Sequence, residues 1–404
     1  IGLGIPAEPL FRSRDVASAQ QVLTIHISNP SRNDRIDEPI VIPLSKYGDI
    51  KSAVVSAGSQ EIPCQLDDLN QDDIFDELCF LANLKGKEQK KYSIKLYAEG
   101  EPRQYPARVY AEMLLRNDKV KEKNKHNNFI ESITARGDCA NSYNIQHHHG
   151  VDFESELNGI RIYFDSRQTL DLYGKYQKRL ELKDTQFYTS KGQKTEGYGD
   201  DVLWVGNTFG LGAFRGWDGQ QPTMIDPVSS RTQRIISYGP LRTIVEVIDK
   251  KWKPYTDKPT ITMTLRYTQY AGHRDTDVDV FFDKDVKDYL FSTGIINVKE
   301  SAEFSDQKGL RACWGTDWPS SDHENFKPET VGLGIYIPQA FIKSEEPANI
   351  DNYAFVVNTP NKHLNYKIIY CSDNETFGYH SAQEWFAFLK AWKKEILQPV
   401  KVDY

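Results

Sequence analysis

The 404-residue chain has no run of about eighteen apolar residues, so no segment reads as a membrane-spanning helix. Cysteine is scarce: five residues with no CxxC pair exclude a zinc ribbon and a disulfide-dense scaffold. Cys64 and Cys79 form a candidate pair, and the odd total leaves at least one thiol over. Neither sign of charge dominates. A formal net of -7 is spread along the chain, which argues against nucleic acid as a partner. The one basic run, "NDKVKEKNKHNN" (Asn117 to Asn128), carries no aromatics and reads as a solvated loop. Walker loop, dinucleotide fingerprint, HExxH and GxSxG elbow are all missing.

Strand signals fill the chain instead. "QQVLTIHIS" (Gln20 to Ser28), "EPIVIPL" (Glu38 to Leu44), "TITMTLRYTQY" (Thr260 to Tyr270) and "VGLGIYI" (Val331 to Ile337) are short, alternating or β-branched. With little helical periodicity elsewhere, the expectation is a mainly β protein of packed antiparallel sandwiches. One helix stands out near the end, "SAQEWFAFLKAWKKEI". Ser381 and Glu384 have capping-box spacing, and Trp385, Leu389, Trp392 and Ile396 make one apolar stripe for the core. The Gly/Pro-punctuated "YAEGEPRQYPAR" (Tyr97 to Arg108) separates an expected small β-sandwich, 1–104, from a larger one with the helix, 105–404. The acidic "CQLDDLNQDDIFDEL" (Cys64 to Leu78) offers oxygen ligands, but it lacks the glycine and closing glutamate of a calcium loop.

Three histidines open the segment "QHHHGVDFESELNGIRIYFD", Gln146 to Asp165. Asn158-Gly159 is a strong two-residue hairpin signal, with Phe153 then opposite Phe164 and Asp152 opposite Asp165. Alternation puts Val151, Phe153, Ile160 and Ile162 on one face. Asp152, Glu154, Arg161, Tyr163 and His148 fall on the other, while His147 and His149 point with the apolar set. Adjacent strand histidines cannot share one ion, and no metal-ligand spacing accompanies them. Catalytic, metal and structural readings of the run stay open.

Two further constellations carry chemistry. "GYGDDVLWVGNTFGLGAFRGWDG" (Gly197 to Gly219) gathers Tyr198, Arg215 and Trp217 among glycines, either a sugar-acid platform or a turn-rich loop. "YAGHRDTDVDVFF" (Tyr270 to Phe282) sets His273, Asp275, Asp277 and Asp279 on one strand face and Arg274 on the other. It suits a carboxylate substrate or a surface lattice of ion pairs. Aromatics at 12% fit sugar binding and β structure alike.

Taken together, "HHHGVDFESEL", "RIYFDSRQTLDLYGK", "GYGDDVLWVG", "YAGHRDTDVDV", "CQLDDLNQDDIFDEL" and "EWFAFLKAWKKE" resemble a family long labelled a domain of unknown function. Its members lie in polysaccharide-utilisation gene clusters of Bacteroidetes, and the likeness covers nearly the whole chain. A member linked to ulvan degradation resembles an oligosaccharide dehydratase, removing water from a non-reducing-end uronate to leave a 4,5-unsaturated sugar. The resemblance implies a galactose-mutarotase-like supersandwich, a periplasmic or secreted setting and no organic cofactor. A chain opening on Ile1 rather than Met is expected if a leader has been removed.

Such an elimination needs a base for the C5 proton, an acid for the 4-hydroxyl and cations on the carboxylate. The expected base/acid pair is His148 and His273, with Tyr198 as an alternative donor. Arg215 and Arg274 are the expected clamps, Lys175 a supporting charge and Trp217 a stacking platform. No metal site is assigned. A polysaccharide lyase and a non-catalytic carbohydrate-binding protein are the competing classes, and a glycosidase would leave saturated products.

Overall fold

A computed structural model describes residues 21–141 and 143–404. Residues 1–20 of the expected amino-terminal domain lie outside the described residues. Alternation along Gln21–Ser28 turns Ile25 and Ile27 inward, and Ile40, Ile42, Phe80, Ile94 and Leu96 meet them in a small core. Two sheets enclose that core. One has five strands, the other three: Arg35–Pro43, Cys64–Asp67 and Glu77–Leu84. The chain's last strand, Lys401–Asp403, pairs with Gln21–Ser28 in the five-stranded sheet. The unit expected at 105–404 therefore gives its final strand back to the amino-terminal sandwich.

Cys64 lies opposite Phe80 and Cys79 opposite Gln65, so their thiols point to opposite faces. Both are buried and unbridged, which corrects the candidate disulfide. In the acidic stretch the Asp68 carboxylate accepts the backbone N–H groups of Asn70, Gln71, Asp72 and Asp73, closing the loop on itself.

The larger unit is a mainly β sandwich. A nine-stranded antiparallel sheet runs from Ser132–Arg136 at one edge to Ala302–Ser305 at the other. Two five-stranded sheets contribute to the same core. The first holds Val109–Glu112, Gly150–Ser155, Gly159–Tyr163, Leu170–Gly174 and Asp200–Asp201. The helix Ala382–Ile396 lays Trp385, Leu389 and Trp392 on the nine-stranded sheet, against Leu310, Ala312, Ile369 and Cys371. A Cβ on Gly332 would stand 2.9 Å from the Trp385 ring, so glycine lets the indole lie flat. Ser381 caps the helix through Glu384 N at 3.2 Å, while the Glu384 carboxylate accepts from His380 N, one residue outside the expected box.

The two units are riveted by buried charge. Arg242 Nε donates to Asp67 at 2.8 Å and Nη2 to Glu77 at 2.7 Å. Gln65 donates to Ser237 Oγ and the Arg242 carbonyl, and accepts from Leu241 N. His273 sits at the same junction, its Nε2 2.9 Å from the Asp37 carbonyl and its Nδ1 3.2 Å from Asp275.

Removing one side of the rivet should be costly, because Asp67 would remain buried without its partner. Arg242→Ala is expected to lose about 3–5 kcal/mol in urea denaturation, with Asp67→Asn recovering much of it in the double variant. A single-variant loss below about 0.5 kcal/mol would contradict this. The junction is also pH-sensitive. Burial and the Lys367 charge lower the His273 pKa, but the Asp275 carboxylate and the Asp37 carbonyl outweigh them and hold it above its ordinary 6.5. That stabilisation is full below the unfolded value and fades as pH rises through the folded one. The stability deficit of His273→Gln should therefore be largest near about pH 5.5 and shrink by about pH 8.5; a flat deficit refutes it.

Candidate active site

The histidine run is a turn, not a strand. Gln146 bridges once to Leu115, and the strand begins only at Gly150. His149 has φ +70°, and a Cβ on Gly150 would fall 1.7 Å from the Ile162 carbonyl oxygen. Turn residues do not alternate, so the three rings go three ways. His147 stacks on His126 with centroids 3.6 Å apart, and His149 stacks on Tyr143 at 3.8 Å. His148 enters the interior. The hairpin register also differs from expectation. Phe153 faces Ile160 and Asp152 faces Arg161, around a turn in which Ser155 N donates to the Asn158 carbonyl. Asn158 is buried and bound to the Arg274 carbonyl, which fixes the longer turn. The register moved by an even number of residues, so each side chain keeps its expected face.

A cleft opens beside this turn. Three adjoining cavities of about 450, 350 and 400 Å³ share Lys123 and Tyr188, and His149 lines the first two. His149 Nδ1 lies 3.1 Å from the Tyr143 carbonyl, which assigns the proton to Nδ1 and leaves Nε2 its lone pair. Burial, with the nearby Arg161 charge, pushes its pKa down to about 4. Arg161 spans the middle cavity's floor: it donates to Tyr163 Oη at 3.1 Å and pairs with Asp171 and, at 3.4 Å, Asp201. Tyr163 in turn donates to Asp171 at 2.7 Å. Arg167 grips Asp165 and lies over the Tyr143 and Tyr163 rings, 5.0 Å from each centroid. Trp204 stands 55% exposed at the rim. Burial raises the Tyr188 phenol, keeping it protonated.

Beneath the wall lies a second polar group. His148 Nε2 is 3.6 Å from Glu112 Oε1 and 3.4 Å from Asp152 Oδ2, all three residues being buried. Burial pushes His148 down to about 3 and Glu112 up to about 8. Burial and the charges of Glu112 and Glu154 also raise Asp152 well above its ordinary value.

The seven residues expected at the site are dispersed. His148 and His273 share no cavity: His273 lines one of about 380 Å³ at the junction, with Tyr270 and Lys367. Arg215 spends its donors on the Arg167, Asn207 and Thr208 carbonyls and Thr169 Oγ1, bracing a loop. Arg274 pairs with Glu375 at 2.9 Å, and Lys175 is sealed against Glu154 and the Ser155 and Arg179 carbonyls. Tyr198 donates to Asp184 at 3.2 Å, under the Arg179 guanidinium. Trp217 is buried, 6% exposed. Asp275 and Asp277 meet Lys367, and Asp279 meets His363 at 2.7 Å, so this face is a lattice of ion pairs.

Among the cleft residues, Tyr143, Arg167, Tyr188 and Trp204 carry no role from the sequence, and His149 only the open readings of the histidine run. "RIYFDSRQTLDLYGK" held the usable signal, since it contains Arg161, Tyr163, Arg167 and Asp171. The basic run held another: Lys121, Lys123 and His126 line the first cavity.

No curated protein sequence matches this one. Among solved structures, an alpha-mannosidase from Enterococcus faecalis aligns at 10% identity with a TM-score of 0.49, covering 95% of this chain and 46% of that one. A glycosyl hydrolase family 38 protein from the same organism aligns at 9% and 0.48, covering 94% and 47%. The chain spans about half the length of both. A family model matches residues 27–402, and the chain belongs to that family, DUF4861, a domain of unknown function.

Proposed function

We propose that this protein is an exported carbohydrate-active enzyme that eliminates water from the non-reducing-end uronate of an oligosaccharide of ulvan type. The observation carrying this reading is the cleft: a neutral imidazole, a protonated phenol and a cationic rim around three adjoining cavities. Elimination removes the C5 proton, breaks the C4–O bond and forms the C4–C5 double bond. The hydroxyl leaves as water once a donor has protonated it. Neutralising the carboxylate acidifies the C5 proton, a demand that Lys123 meets from the wall. His149 Nε2 is the base and the Tyr188 phenol the acid, while Trp204 offers its indole face to the sugar ring. These roles replace the pairing of His148 with His273.

Lyase action is the second reading. Cavities on both sides of the shared Tyr188 leave room for a sugar on O4, and the same groups would then cleave the chain.

Incubation with uronate-terminated oligosaccharides, followed by absorbance near the conjugated-enol band and by product mass, separates the outcomes. Loss of one water supports the dehydratase, and scission with absorbance the lyase. Saturated products mean a glycosidase, and silence with retained binding a carbohydrate-binding protein. His149→Ala and Tyr188→Phe should each lower kcat by about 10²–10⁴-fold. Lys123→Ala should raise KM, and His273→Gln should leave turnover unchanged. Full activity in both His149→Ala and Tyr188→Phe overturns the assignment.

A further inference from the structure

We infer that Glu112, His148 and Asp152 bind one first-row divalent cation, Zn²⁺ or Mn²⁺, beneath the wall of the cleft. Asp152 and Glu112 are direct partners across the strands Gly150–Ser155 and Val109–Glu112. Two carboxylates facing each other across a ladder repel. His148 completes the group from the turn, four residues before Asp152. The three facing ligand atoms all lie within 4.8 Å of one another.

Two observations point to an ion. The first is a concentration of buried atoms without a hydrogen-bond partner among the described residues: Glu112 Oε1, both Asp152 oxygens and both His148 ring nitrogens. Buried polar groups are nearly always partnered, so five such atoms in one contact group need a cause. Charged neighbours have theirs. Glu154 meets Lys175, Arg161 meets Asp171, and Arg231 meets Asp249. The second is spacing. Separations of 3.4 and 3.6 Å are long for hydrogen bonds, yet ligands about 2.0–2.2 Å from a tetrahedral ion stand about 3.4 Å apart.

Two carboxylates and a neutral imidazole balance a dication. The mix of oxygen and nitrogen suits Zn²⁺ or Mn²⁺ better than Ca²⁺ or Mg²⁺, whose sites are all oxygen. Tyr110 Oη donates to the other Glu112 oxygen at 2.7 Å, orienting that carboxylate as an outer layer orients metal ligands. The ion would anchor His148, and through it the left-handed turn that presents His149. His148 is then a positioning residue.

The test uses the full chain without substrate, so it stands apart from the elimination assay. Metal content is measured on the purified protein, and Zn²⁺ or Mn²⁺ alone is titrated into chelator-stripped protein while melting is followed. Expected are one equivalent per chain, a Tm that falls on stripping and recovers with the ion, and uptake abolished in His148→Ala and Asp152→Asn. Should those variants fail to fold, Tyr110→Phe keeps the question open to measurement, with affinity expected to fall about 10–100-fold. His380→Ala, at an exposed His–Asp pair, should bind as the wild type does. No uptake of either ion, a Tm indifferent to chelator, or an Asp152→Asn variant that melts higher than the parent overturns the inference. Loss of uptake in His380→Ala would assign any binding to the surface and overturn it too.

Discussion

Every residue of Gly150–Ser155 and Gly159–Tyr163 is buried, so this hairpin has no face turned to water. One face is ordinary core: Val151, Phe153, Ile160 and Ile162 pack into the large cluster. The other carries Asp152, Glu154 and Arg161. An uncompensated buried ion costs several kcal/mol, so each charge on that face demands a partner inside the protein. Lys175 exists to meet Glu154, whose carboxylate also accepts from the backbone N–H groups of Glu181 and Leu182. Asp171 and Asp201 meet Arg161. The layer over the hairpin is thus an internal electrolyte, neutral in sum only if each member is matched.

That requirement shapes the cleft. Arg161 is sealed beneath it, stacks 4.1 Å from the Phe187 ring centroid and donates to the His148 carbonyl at 3.5 Å. One guanidinium therefore touches the cavity floor and the turn that carries His149. Over most of the layer each charge meets a counter-charge. Where that fails, at Glu112, His148 and Asp152, neutrality has to come from protons or from a cation. A shared proton would satisfy only one of the five orphaned atoms as donor and one as acceptor, whereas an ion engages three ligands at once. This is why the same constraint accounts for the cleft's wall and for the buried site below it.

Much of this was legible from residue order. Period-two alternation named the correct apolar face of the hairpin, and the stripe of Trp385, Leu389 and Trp392 named the helix face. The turn was misjudged because Asn158-Gly159 signals a two-residue loop locally, while hydrogen bonds from a distant strand hold Asn158 inside. The three histidines were misjudged for a related reason. Alternation assigns faces only within strands, and the strand starts at Gly150, after the run and its left-handed residue His149. Glu112 could not be found at all, since only strand pairing brings it beside Asp152.

Cations illustrate what composition cannot supply. Sequence favoured Arg215, Arg274 and Lys175 for a substrate carboxylate because they sit among glycines, aromatics and histidines. All three are buried with their donors spent on carbonyls or carboxylates, and a cation in that state has nothing to offer a ligand. Donor availability, not residue type, decides which cation can recognise an acid. Lys123 has it: exposed, 5.0 Å from the Tyr188 ring centroid, with no carboxylate partner among the described residues. It belongs to the one basic run, whose lack of aromatics made it read as solvated loop. The aromatics are supplied instead by the opposite wall, in Tyr143, Tyr188 and Trp204. A loop that is merely solvated in the sequence becomes, once folded over those rings, the cationic side of the groove. Its attraction for an acidic sugar, being exposed, should weaken with ionic strength, as that of a buried clamp would not.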